Sequence, residues 1–480
     1  MTEAERYVFA GSPPPLDDPH AAAIAAHHLA DETRLVAQLL IETATPPEAL
    51  AAVRARALSW VHAIRADPRA ESAFDALLRE FALSSGEGVV LMALAESLLR
   101  IPDAATAQRL IGDRLGAADW DAHLGGSESL WVNASAWALA LGGRVVATAR
   151  EGIEPRATAV ARLFARLGEP VVHAALGAAM RRMGTHFVVG RDIGEALRHA
   201  QATGLAHSFD MLGEAAMSAD DAQRYLHSYG EAIAAVSSAV AAGTLRHGVS
   251  VKLSALHPRY TYAQRERVLR ELVPRLRTLA HAARYGGIAL TVDAEECERL
   301  ELSLEVFSAV FADPALAGWD GLGLAVQAYQ KRAVFVIDAL AALAQRVGRR
   351  LPLRLVKGAY WDSEIKRAQE QGLASYPVFT HKRHTDLSYL ACAQRVFDHG
   401  PVFYPMFATH NAQTIAALLA LAAQRPAADY EFQRLHGMGE VLHACVTAES
   451  GVACRVYAPV GAHAELLPYL VRRLLENGAN

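Results

Sequence analysis

From about residue 184 onward, short β-type runs alternate with helical patterns, and nothing else in the chain narrows its fold so far. The runs span 186–189, 207–211, 249–253, 288–292, 322–326, 353–356, 403–407 and 430–435. Eight such runs, each followed by a helix-length segment, predict an α/β fold: a (βα)8 TIM-type barrel. A doubly wound sheet shares the alternation, but it ordinarily carries a glycine-rich dinucleotide loop after its first strand. Gly321-Leu322-Gly323 lies inside a run and has Val326 where the third glycine would stand, so it fails as that fingerprint.

The first third is helical in pattern. A Pro-rich stretch at 12–15 precedes 21–43, where Ile24, Leu29, Leu35, Leu39 and Leu40 recur near helical spacing. Segment 84–100 opens on Ser84-Ser85-Gly86-Glu87, a capping-box pattern, and Pro102 ends its apolar helix. Segments 106–116 and 157–183 also fit helices. The expected organisation is an all-α arm over 1–60, a small α-helical domain over 61–155 and the barrel over 156–480.

Composition excludes several classes of function. With 52% hydrophobic and 20% charged residues the chain is globular, not disordered. A net charge of −4 offers no bulk attraction to nucleic acid or acidic lipid. The four cysteines (Cys297, Cys392, Cys445, Cys454) form no C-x-x-C and read as reduced thiols of a cytoplasmic protein. The first ten residues lack the apolar core of a secretory signal, and the apolar runs stop short of the roughly 20 residues a spanning helix needs. The scattered histidines show no H-x-x-x-H pair, so no metal site is expected.

A barrel carries its site at the C-terminal ends of its strands. Polar residues interrupt or end five apolar runs there: Lys252, Asp293, Gln327, Arg354 and the pair His410-Asn411. Strand period two puts Lys252 on one face with Ser250 and Ser254, and Asp293 with Thr291. Buried charges are costly unless paired, so each alone is open to reading as a structural ion pair of the barrel core. A second constellation lies in 463–477, where Tyr469, Arg472, Arg473 and Glu476 form one helical stripe. Two arginines beside a tyrosine suit a carboxylate, because guanidinium offers planar forked donors. A solvated helix face is the plain alternative.

Taken together, these residues resemble a known family. Ser250-Val251-Lys252-Leu253-Ser254-Ala255-Leu256-His257-Pro258-Arg259-Tyr260, Thr291-Val292-Asp293-Ala294-Glu295-Glu296 and Val356-Lys357-Gly358-Ala359-Tyr360-Trp361-Asp362 are similar to segments of the proline dehydrogenase domain of the bifunctional proline utilization A flavoenzymes. So are Ala408-Thr409-His410-Asn411, Gln433-Arg434-Leu435-His436-Gly437-Met438-Gly439, Tyr457-Ala458-Pro459-Val460-Gly461 and 470–478. The resemblance implies a distorted barrel that holds FAD noncovalently and oxidises L-proline to 1-pyrroline-5-carboxylate, with hydride passing from C5 to flavin N5. It implies catalytic roles for Lys252, Asp293, Arg354 and Tyr360, with Arg354 against N5. Lys252, Arg472 and Arg473 match the holders of the proline carboxylate, Tyr360, Tyr457 and Tyr469 the aromatic walls, and Leu435 a packing contact. Asp293, Ala294, Gln327, Arg354, Val356, Lys357, Gly358, Ala359, Trp361, Thr380, His381, Lys382, Thr409, His410, Asn411, Gln433 and Glu476 fall where the family contacts FAD.

The resemblance also implies a quinone electron acceptor, met by peripheral contact with the inner face of a membrane. Larger members begin with a ribbon-helix-helix DNA-binding segment; residues 1–20 are Pro-rich and not basic, so no nucleic-acid partner is expected. Bifunctional members continue into an NAD-dependent aldehyde dehydrogenase domain, and the chain reads as an N-terminal portion of such a protein carrying the first reaction. Two rival readings stay open: a barrel acting on another carboxylate, such as hydroxyproline or an aldolase-type substrate, and a flavin-free scaffold. Flavin absorbance bleached by proline separates them.

Overall fold

The computed structural model describes residues 18–67, 188–243, 245–425 and 429–461. The chain divides into two compact units, 1–64 with 189–461 and 65–188 with 462–480; nearly all described residues belong to the first. The helices expected at 84–100, 106–116 and 157–183 lie outside the described residues.

Eight parallel strands close into a barrel in chain order. They are β1 (His207–Met211), β2 (Gly248–Val251), β3 (Ala289–Val292), β4 (Leu322–Gln327), β5 (Leu351–Val356), β6 (Phe403–Ala408), β7 (Glu431–Leu435) and β8 (Cys454–Val460). β1 pairs with β8, Ser208 opposite Tyr457, and closure leaves no edge. The barrel expectation holds, with one strand exchanged. Of the run at 186–189 only 188 and 189 are among the described residues, and they belong to no barrel strand; beside them Gly190 makes a single bridge to Val460. The eighth strand is Cys454–Val460, whose Arg455 and Pro459 disguise it as a non-strand.

Burial explains the alternation along each strand. Phe209, Val249, Val251, Leu290, Val292, Leu324, Leu353, Leu355, Phe407 and Phe432 point outward and are buried against the helices. Val268, Leu272 and Leu276 of the helix Arg265–Tyr285, and Ile337 and Leu340 of the helix Ala333–Val347, belong to the same core. The main hydrophobic layer therefore lies between sheet and helices. The other parity faces the lumen and is polar: Ser208, Asp210, Ser250, Arg354, Glu431 and Gln433 are all buried.

Three N-terminal helices, α1 (Pro19–Ala26), α2 (Glu32–Glu42) and α3 (Pro47–Ala66), precede the barrel. The single pattern at 21–43 is broken because Asp31 caps α2, its carboxylate accepting from Arg34 N at 2.8 Å. His27 stacks on Phe335 at 3.7 Å between ring centres, and Trp60 Nε1 donates to Glu449 at 2.6 Å, so the arm is fastened to barrel helices by specific side chains.

Candidate active site

Strand parity aims one set of side chains into the lumen, where water is largely excluded and every charge needs a partner. The structure meets that demand with a chain of alternating charge. It starts low on β8, where Arg455 donates from Nε and Nη2 to the two carboxylate oxygens of Glu431, at 2.7 and 2.9 Å. Gln433 Nε2 donates to Glu431 Oε1 at 2.7 Å, and Gln433 Oε1 accepts from Arg354 Nε at 2.7 Å. Arg354 Nη1 donates to Asp293 Oδ1 at 2.6 Å and to Ser250 Oγ at 3.0 Å; its Nη2 donates to Ser208 Oγ at 3.0 Å. Its guanidinium also lies 5.1 Å from the centre of the Tyr457 ring, in cation–π range.

Beyond Asp293 the chain reaches Lys252, which follows β2. Its ammonium donates to both oxygens of Asp210 at 2.7 Å and lies 3.6 Å from Asp293 Oδ2. The Tyr457 hydroxyl sits 2.7 Å from Asp210 Oδ2 and 2.6 Å from Asp293 Oδ2, so its single proton serves one carboxylate at a time. Three cations (Arg455, Arg354, Lys252) thus face three carboxylates (Glu431, Asp293, Asp210).

The electrostatics follow from burial and pairing. Burial alone would drive the Lys252 ammonium down, but Asp210, Tyr457 and Asp293 outweigh it and hold the group well above the ordinary lysine value. Burial pushes the Tyr457 hydroxyl up, and the two carboxylates push it further. Burial, aided by Asp293, also raises Asp210 against the opposing ammonium. Lys252 therefore stands protonated, with donor capacity beyond the bonds to Asp210.

Around the mouth lie the remaining residues matched to the cofactor. Gln327 bridges Glu295 O and Ala359 N, fastening the end of β4 to the loop after β5. In that loop Gly358 has φ of +138°, and a Cβ there would meet the Tyr329 ring at 2.5 Å, so only glycine fits. Lys357 donates to Asp386 at 2.5 Å and Lys382 to the same carboxylate at 3.0 Å. Trp361 is partly exposed and its Nε1 donates to Phe379 O at 2.8 Å. Glu32 of α2 accepts from Thr380 N and Oγ1 at 3.0 Å and contacts His384 Nδ1 at 2.6 Å. His381 precedes the helix Lys382–Asp398 without capping it by its side chain. Leu435 N donates to His410 Nε2 at 3.0 Å, and Asn411 caps the helix Ala412–Ala423 through Thr414 N.

The structure brings Lys252, Asp293, Arg354, Gln433 and Tyr457 into one network. Val356 is tied to the Gln327 loop by the bond from Ala328 N; Tyr360 opens the helix Trp361–Glu370; Ala294 and Thr409 follow β3 and β6. Ser254 does not share the Lys252 face, because the chain turns into a short helix, Leu253–Leu256, and its hydroxyl accepts from Ala215 N. Tyr469, Arg472, Arg473 and Glu476 lie outside the described residues. Sequence reasoning missed Asp210, Ser208, Glu431, Arg455 and Glu32. Asp210 sits between Phe209 and Met211 as Lys252 sits between Val251 and Leu253, and the same criterion applied to 207–211 would have found it. Among the described residues no group of three His, Cys, Asp or Glu side chains is placed to hold a metal ion, and no helix is long and apolar enough to cross a membrane.

Residues 193–480 match the family model described as proline dehydrogenase. The chain belongs to the proline dehydrogenase family. Residues 73–187 match a second model, described as the DNA-binding domain of proline dehydrogenase, which runs against the expectation of no nucleic-acid partner. The Bifunctional protein PutA of Escherichia coli is 48% identical over 473 residues, covering 96% of this chain and 36% of that protein. The protein of the same name from Rhizobium meliloti is 46% identical over 470 residues, covering 95% and 37%. A crystal structure of a mutant Proline Utilization A (PutA) from Bradyrhizobium japonicum superposes with a TM-score of 0.72 at 48% identity, covering 98% of this chain and 46% of that one. The chain thus spans about a third of the length of these two curated relatives.

Proposed function

We propose that this chain oxidises L-proline to 1-pyrroline-5-carboxylate, with FAD as its resident redox group and a quinone as final electron acceptor. The observation that carries the reading is Arg354, a buried guanidinium aimed by four partners, with the Lys252 ammonium two bonds further along the same network.

The residues fit FAD. The loop at Lys357-Gly358-Ala359 keeps a backbone that no side chain could share, and Lys357, Lys382, Thr380 and Trp361 supply the cationic, hydroxyl and aromatic groups an anionic dinucleotide calls for. Arg354, Gln327, Lys357, Gly358, Trp361, Thr380, Lys382, His410 and Glu476 would hold it. When bound, FAD supplies a two-electron acceptor for the hydride that leaves proline C5.

The protein's part is placement and charge. Lys252, with Arg472 and Arg473, takes the carboxylate; Tyr457, Tyr360 and Tyr469 wall the ring. Oxidation removes a hydride from C5 and one proton from nitrogen, so the amine must first be neutral, and the cations around it favour that form. Arg354, fixed before substrate arrives, stabilises the negative charge that develops as the hydride leaves.

The test is an anaerobic spectrum of the FAD-loaded chain titrated with L-proline. Flavin absorbance falling with each addition, and transfer of electrons to a dye acceptor, is the expected result. A flavin-loaded chain that L-proline leaves fully oxidised would overturn the reading. The carboxylate clamp has its own check. Arg472→Met and Arg473→Met should each lower kcat/KM about 30-fold to several thousand-fold, since losing one partner of a desolvated charge pair costs roughly 2–5 kcal/mol. Tetrahydro-2-furoic acid, a carboxylate without the amine, should lose affinity in parallel.

A further inference from the structure

We propose that Glu431 is a positioning residue for Arg354, acting through the side-chain amide of Gln433; the inference rests on the proline-oxidising reading above. An amide has a donor end and an acceptor end, and nothing in its own shape fixes which way round it sits. Here the neighbours fix it. Arg354 Nε can only donate, so it must face Gln433 Oε1, and the Glu431 carboxylate can only accept, so it must face Gln433 Nε2. Both contacts are 2.7 Å, and all three residues are buried.

Glu431 is held in turn. Arg455 donates to both its oxygens, at 2.7 and 2.9 Å, and the Tyr404 hydroxyl donates to Oε2 at 3.2 Å. Glu431 and Gln433 stand two residues apart on β7 and share its inner face. The guanidinium of Arg354 is therefore gripped at opposite edges: Asp293 takes Nη1, and Gln433 takes Nε. A Gln433 amide free to turn over would present donor to donor at Nε, and the plane of Arg354 would keep only Asp293 and Ser250 at Nη1 and Ser208 at Nη2. Glu431 touches neither Arg354 nor the barrel mouth, yet it decides how that plane lies.

The test uses the FAD-loaded chain and the variants Glu431→Gln and Glu431→Asp. In Glu431→Gln, position 431 no longer demands a donor from Gln433. Its flavin reduction by L-proline should slow about tenfold, with the half-saturating proline concentration unchanged within about twofold. The flavin midpoint potential, measured by dye equilibration without proline, should move to a more negative value. Glu431→Asp keeps the charge but draws it away from Gln433, and its rate and potential should move the same way by a smaller amount. A purely structural role would lower the melting temperature of both variants and leave both potentials at the parent value, and that result overturns the proposal. If Glu431→Gln does not fold, an unchanged potential in Glu431→Asp overturns the proposal equally. The potentials decide the matter even if proline fails to reduce the parent protein, which would sink the proline reading alone.

Discussion

The lumen of the barrel and its rim use the same residue types for different ends. In the lumen, Lys252 and Arg354 are buried, Arg455 is half-buried, and each is bonded to carboxylates or amides that are themselves held. At the rim, Lys357 and Lys382 share the partly exposed Asp386, with side-chain exposures of 17%, 42% and 33%. A buried ion pair gives little net stability, but losing one member leaves an uncompensated charge and costs several kcal/mol. A rim pair is screened by water and salt and costs little to lose. On the proposed reading, the lumen would fix the geometry of the reaction, and the rim would leave its side chains able to exchange a protein carboxylate for a ligand's phosphate.

That contrast can be broken at its strong end first. Lys252→Met strands Asp210 beside the Tyr457 hydroxyl, while Asp293 keeps Arg354, and should cost about 3–5 kcal/mol in chemical denaturation. Adding Asp210→Asn should recover much of the loss, since both members of the main pair are then neutral. A single variant that costs less than about 1 kcal/mol would mean the lumen is wetter than its burial indicates.

An acid scan gives a smaller effect. Burial lowers His443 and His207 to about 4. His443 Nε2 bonds to Thr409 O, and its buried Nδ1 has no partner among the described residues. The unfolded chain takes protons near 6.5 while the folded chain resists until about 4, so stability is full above 6.5 and falls as pH drops between these values. The loss is about 3 kcal/mol per histidine at most. His443→Gln should flatten the fall of melting temperature between about pH 7 and 5; an unaltered slope would rule out His443 as its source.

The smallest effect belongs to the rim. Asp386→Asn should change stability by no more than about 1 kcal/mol, and less at high salt. A loss comparable to that of Lys252→Met would erase the distinction between the two regions.

Much of this was legible in the sequence, for physical reasons. Period-two alternation exposed most strands, because the outward parity is apolar and the inward parity polar. β8 escaped, since Arg455 and Pro459 break the apolar signal that marks a strand. Lys252, Asp293 and Arg354 stood out as charges inside apolar runs. Glu431 and Arg455 did not, because their meaning lies in a pairing across neighbouring strands, 24 residues apart, that only the register reveals. Glu32 was hidden for the same reason: it meets Thr380 across a separation of 348 positions that only folding closes.

The central claim is that Arg354, held by the lumen network, carries the chemistry. Single-turnover reduction of a fully flavinated Arg354→Met variant by L-proline tests it most directly. The account predicts a rate lower by about 10²–10³, as when a preorganised donor to developing charge is removed, with proline affinity changed far less. A fully loaded variant that is reduced at the parent rate would contradict it.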